Sequence, residues 1–157
     1  MKGKAKYLLF DTDWAGTLPA FFKGIKALGV TVSDISHLII SHYHPDHMGI
    51  AQDLVDLGIR LVVLDKQKDY LHQSDAIFEK EKNQTFKPIV DELTLVISIR
   101  NSRDFLAGLG IDGEILWTPG HTKDSISLVL DSGHAFVGDL YPLDQVPLFK
   151  DATIIKS

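Results

Sequence analysis

The run Ser41-His42-Tyr43-His44-Pro45-Asp46-His47 constrains this chain more than any other stretch. Four metal-competent side chains, His42, His44, Asp46 and His47, fall within six residues. The run before it, 38–40, is continuously apolar and reads as a buried strand. The run after it, 48–57, carries apolar residues near helical spacing and stops at Gly58, so it predicts a helix. The cluster therefore sits where a strand ends and a helix begins, the place where ligand sites in α/β sheets collect. His42 and His44 are two apart, and an extended backbone puts both side chains on one side. Pro45 holds His44 to extended forms. Asp46 and His47 follow at the start of the helix, aimed elsewhere, and can serve a second metal nearby.

The rest of the chain repeats that placement. Residues 7–10 read as a short strand ending at Asp11, and 19–28 as a helix whose apolar face is Phe21, Phe22, Ile25 and Leu28, closed by Gly29. Residues 60–64 form a strong strand, giving a βαβ-like alternation and a sheet with helices packed on it. Residues 65–87 are polar and charged and predict a helix at 66–72 within a solvated excursion that can also cover a site. Strand 93–99 follows. Ser102 is expected to cap a helix over 103–109, which Gly110 ends. Strand 114–117 runs into Thr118-Pro119-Gly120-His121-Thr122. Strands 126–130 and 135–137 flank Asp131-Ser132-Gly133 as a hairpin and lead to Gly138-Asp139. Pro142 and Pro147 mark a loop, and 152–156 can begin a last helix. Asp11, the histidine run, His121 and Asp139 thus each stand at a strand's end, and in an aligned sheet those ends converge.

Composition narrows the chemistry. The 157 residues suit one domain, 1–157, and 45% hydrophobic content supplies a core. The absence of cysteine excludes disulfides, thiolate sites and a cysteine nucleophile, leaving His and carboxylates as ligands, a set that suits zinc, iron or manganese. The net charge of −5 is spread along the chain and does not suggest a nucleic-acid surface. The basic start, 1–6, precedes too short an apolar run for a signal peptide, and no window approaches a membrane span, so a cytoplasmic protein without a membrane partner is expected. His37, His72 and His134 read as structural or solvated. Asp13, Tyr43 and Tyr141 are weak candidates for substrate contact, and Trp14 and Phe22 for a pocket or the core.

The motif His-x-His-x-Asp-His at 42–47 resembles the signature of the metallo-β-lactamase-fold hydrolase superfamily. Phe10-Asp11-Thr12, Thr118–Thr122 and Gly138-Asp139 match three further motifs of that family, in order. The resemblance covers nearly the whole chain and implies an α/β (α+β) fold, an αββα sandwich with metals at one edge. By position it implies that His42, His44 and His121 hold a first metal, that Asp46 and His47 hold a second, and that Asp139 bridges both. Asp11 resembles the family's supporting aspartate, which binds no metal. Two departures stand out. Only six residues precede Tyr7, where the family has extra strands, and no histidine follows His134, where the family supplies a late ligand. The sandwich is therefore expected to be incomplete at both ends, with a weak second site and an open edge at 7–10 through which two copies can pair.

The resemblance implies two divalent ions, zinc first and iron or manganese as alternatives, and hydrolysis of a small-molecule ester, thioester, lactone, amide or phosphoester, with Asp46 as catalytic carboxylate. A runner-up is an iron persulfide dioxygenase that uses His42, His121 and Asp139 while His44 stands aside. A non-catalytic, metal-stabilised domain is the third reading.

Overall fold

The computed structural model describes residues 7–83 and 85–142. The chain order is β1 (Tyr7–Phe10), α1 (Leu18–Ala27), β2 (Ile35–Ile39), α2 (Pro45–Met48), α3 (Ala51–Asp56), β3 (Arg60–Leu64), α4 (Asp75–Lys80), β4 (Leu95–Ile97), α5 (Ser102–Gly108), β5 (Gly113–Trp117), β6 (Ile126–Leu130) and β7 (Ala135–Phe136). The first four strands make a parallel sheet in the order β1-β2-β3-β4. The last three make an antiparallel sheet in the order β5-β6-β7. None of the described helices is long and apolar enough to cross a membrane.

Strand alternation divides the interior into two cores. Leu38 and Ile40 at β2, with Leu61 and Val63 of β3, face one way, and meet Leu18, Phe21 and Ile25 of α1, Ala51 and Leu54 of α3 and Phe78 of α4. Ile39, Val62 and Leu64 face the other way and meet Ile115, Ile126 and Leu128 of the second sheet, with Leu106 of α5. The parallel sheet is thus apolar on both faces, because helices cover one and the antiparallel sheet the other. This is the sandwich that the motif order implies.

Several local expectations are corrected. The face of α1 is Leu18, Phe21 and Ile25, whereas Phe22 is 38% and Leu28 79% exposed. The helix expected over 48–57 is two pieces, α2 and α3, because the chain turns at Gly49 and Ile50. A Cβ on Gly49 would lie 2.2 Å from Ala15 N, so the glycine lets the loop after β1 press on this turn. Ser102 does not cap α5. Its hydroxyl accepts from Ile115 N at 3.1 Å and donates to Ile115 O at 3.3 Å, filling the open edge of β5. The excursion at 65–87 is not merely solvated. The expected 66–72 helix is a single 3-10 turn at Lys68–Tyr70, and α4 follows it. Leu71 and Phe78 are buried, and Phe78 stacks on Phe86 at 4.0 Å and meets Trp14 edge-on at 5.5 Å. Sparse apolar residues between charges carry no clear period, and here three aromatic rings supply the burial that the run of polar residues hid. The expected features at 1–6, at Pro147 and at 152–156 lie outside the described residues.

Candidate metal centre

Each site residue is positioned by the end of a strand. Asp11 follows β1 with φ +62, a left-handed conformation that Asp tolerates better than most residues. That turn lets its Oδ1 accept the Ser41 N–H, while Oδ2 lies 3.0 Å from His47 Nδ1. Thr12 then donates through N and Oγ1 to the His47 carbonyl at 2.9 and 3.0 Å, tying the β1 loop to α2. His44 is the N-cap of α2, extended at φ −79 and ψ 154, as the following proline requires.

The imidazoles converge. His42 Nε2 and His121 Nε2 each lie 3.1 Å from His44 Nδ1. A single ring nitrogen offers one hydrogen or one lone pair, so His44 Nδ1 cannot satisfy both neighbours by hydrogen bonding. A shared cation does: tetrahedral zinc with bonds of about 2.0–2.1 Å separates its ligand atoms by roughly 3.3 Å. His42, His44 and His121 form one such group, and His42, His47 and Asp139 a second. Asp139 faces both, with Oδ1 3.3 Å from His47 Nε2 and Oδ2 3.6 Å from His121 Nε2. Gly138, at φ +56, allows this approach, since a Cβ there would lie 2.5 Å from Ser41 Oγ. Asp46 stands further out, its Oδ2 3.7 Å from His47 Nε2 and its side chain 57% exposed. The sequence assigns His42 to one metal; in space it is within reach of both groups.

The electrostatics suit nitrogen ligands. Burial, followed by the neighbouring His47, His44 and His121 rings, lowers His42 to about 4, so its lone pair is free at neutral pH. Burial, followed by His121, also lowers His44. The hydrogen bond to Asp11 raises His47. Because a carboxylate only accepts, that bond leaves His47 Nε2 as the nitrogen facing Asp139 and Asp46, the carboxylate–histidine arrangement that orients metal ligands. His44 does not stand aside from the group, as the iron-dioxygenase reading requires.

The weaker candidates divide. The Tyr141 ring is 6.0 Å from that of His121. Trp14 packs partly buried against the core, Phe22 is partly exposed, and Asp13 bonds its neighbour's amide, Trp14 N, at 2.6 Å. His37 meets Phe105 edge-on, His72 bonds two carboxylates, and His134 bonds Ser132, all outside the metal groups. Sequence reasoning missed Gln67, Gln73, Ser74 and Asp124. Gln67, fully buried, donates its amide to the carbonyls of Ile40, Ser41 and Asp124 at 2.9, 3.3 and 3.2 Å. Ser74 Oγ donates to the Tyr43 carbonyl. Asp124 Oδ2 accepts the Tyr43 N–H at 2.8 Å, and Gln73 Nε2 lies 3.4 Å from each of its oxygens. A carboxylate heading a buried strand three residues after His121 was the available signal for Asp124.

The profile of the metallo-beta-lactamase superfamily matches residues 1–151. Among curated proteins, an atrochrysone carboxyl ACP thioesterase of Aspergillus fumigatus is 26% identical over 138 residues, which cover 84% of this chain and 26% of that protein. "Probable metallo-hydrolase YqjP" of Bacillus subtilis is 28% identical over 138 residues, covering 74% of this chain and 43% of that protein. The chain therefore spans less than half the length of these two relatives. Among solved structures, the metallo-beta-lactamase MIM-1 of Novosphingobium pentaromativorans superposes with a TM-score of 0.64 at 19% identity, over 99% of this chain and 62% of that one.

Proposed function

This chain belongs to the metallo-beta-lactamase superfamily, and from that premise we propose that it is a metal-dependent hydrolase of a small ester, thioester, lactone, amide or phosphoester. The observation that carries the reading is the convergence of His42, His44 and His121 at 3.1 Å spacings, with Asp139 turned to both ligand groups. His42, His44 and His121 would hold the tighter ion. His47, Asp46 and the shared Asp139 would hold a weaker one. The nitrogen-and-oxygen donor set, with no cysteine, favours zinc. Divalent ions bound there supply Lewis acidity, lowering the pKa of a water to about 7 and polarising the scissile group. Within the chain, Asp11 fixes the His47 ring by holding its Nδ1 proton. Ser41 Oγ, 3.0 Å from His42 Nδ1, does the same for His42. Asp46, the more exposed carboxylate beside His47, takes the proton from the attacking water and passes it to the leaving atom. A relative named as a thioesterase favours thioesters within the list.

Metal analysis of wild type and His121→Ala, with a panel of chromogenic thioesters, esters, lactones and phosphodiesters, tests the reading. Wild type is expected to bind zinc and turn over at least one class, and His121→Ala to lose the tighter ion. Full zinc retention by His121→Ala would sink the ligand assignment. A zinc-loaded protein inert to every class would favour the metal-stabilised, non-catalytic domain.

A further inference from the structure

Asp124 is fully buried, yet its side-chain partners among the described residues are neutral: the Tyr43 amide and the Gln73 carboxamide. Among the described residues no Lys, Arg or His forms an ion pair with it. A buried charge held only by neutral donors is costly, because the desolvation of an ion is recovered only by an opposite charge nearby. The location of this carboxylate supplies one. It grips the peptide of Tyr43, the residue between His42 and His44, and it lies on the segment that carries His121 three positions earlier. Ile126 N adds a second tie, donating to Ser41 O at 2.9 Å. The two chain segments that bring the three imidazoles together are thus joined at Asp124, and because all three imidazoles are neutral ligands, the shared Asp139 is, among the described residues, the one protein carboxylate turned to a divalent ion held there.

We propose that Asp124 is the buried counter-charge and positioning residue of the first metal site: its carboxylate holds the His42–His44 segment against the His121 turn and balances the cation bound there. This rests on the metal reading above. Gln73 and Ser74, donating to Asp124 and to the Tyr43 carbonyl, extend the tie to the excursion before α4, so that segment is anchored on the metal loop and not on the scaffold alone.

The charge makes the prediction directional. Without metal, the buried Asp124 side chain meets only neutral donors and adds no ion pair to the fold; with metal, it contributes to affinity. Asp124→Asn keeps the volume and one acceptor for the Tyr43 amide, so it removes the charge with little change of shape. Zinc affinity, measured by chelator competition, is expected to fall about 10–100-fold, the range for changes to groups outside the ligand set itself. The melting temperature of the metal-free chain is expected to stay level or rise. The visible spectrum of the cobalt-loaded variant should shift, because the negative charge beside the His42–His44 segment is removed while the Tyr43 tie is kept. A merely structural Asp124 would instead lower the metal-free melting temperature, and that result overturns the proposal, as does zinc affinity within threefold of wild type. His121→Ala, run alongside, separates the two readings. If it keeps its zinc, the site assignment is wrong. If it loses zinc while Asp124→Asn does not, only the role of Asp124 is wrong.

Discussion

Replacing Tyr43 by Phe should leave this protein as stable or make it more stable, although Tyr43 is fully buried and stands between His42 and His44 in sequence. Its hydroxyl is buried and has no hydrogen-bond partner among the described residues. In the unfolded chain that hydroxyl is hydrated. Burying it unpaired costs about 1–3 kcal/mol, which the substitution returns. The oxygen also makes a few dispersion contacts of about 0.1–0.2 kcal/mol each, and these are lost. The net expectation is a gain of roughly 0.5–2 kcal/mol, or about 1–8 °C in Tm for a chain of this size. Burial, followed by Asp124, Asp11 and Asp91, pushes the Tyr43 phenol up, so it stays neutral and adds no pH dependence. The backbone bonds of Tyr43 to Asp124 and Ser74 are untouched by the change. Tyr43→Ala, by contrast, empties the ring's place in the helical core and should cost about 3–5 kcal/mol. Urea unfolding of the metal-free chain measures both without metal linkage. A loss above ~0.5 kcal/mol in Tyr43→Phe would show that the hydroxyl has a partner and refute the argument.

Gly49→Ala should cost ~3 kcal/mol or prevent folding, as overpacking at this contact cannot relax by rotation: the new Cβ meets only backbone, at Ala15 N, Trp14 C and Asp13 O, 2.2–2.7 Å away. Urea unfolding or soluble yield reads it. His72 lies 2.8 Å from Asp91 and 2.8 Å from Asp75, and those hydrogen bonds, Asp91's first, raise it above 6.5. A raised folded pKa contributes stability below the unfolded value and loses it as pH rises through the folded one. The stability difference between wild type and His72→Ala should therefore be largest between about pH 5 and 6.5, where the carboxylates remain charged, and shrink above that; a flat difference across pH would remove the ion pairs from the account. Asp46→Asn should keep the fold and the first zinc while lowering turnover ~100-fold or more, and an unchanged rate on the active substrate would take Asp46 out of the mechanism.

The sequence by itself marked the metal-competent residues and their placement near strand ends. Four metal-competent residues in six, a proline that fixes His44, and turn residues before His121 and Asp139 are local facts, and local geometry follows from them. The strands at 60–64 and 126–130 were legible for the same reason, since period and punctuation are short-range signals. Tertiary structure decided the rest. The break at Gly49 depends on a loop more than thirty residues earlier in sequence, so no window around 48–57 could contain its cause. The excursion became α4 because Phe78, Phe86 and Trp14 meet across the fold. Ser102 left its expected cap for the edge of β5, a strand formed later in the chain. Asp124 drew its meaning from an amide 81 residues away. A carboxylate's cost in burial is fixed by its type, but whether a partner offsets that cost is set only by which distant groups the packing brings beside it.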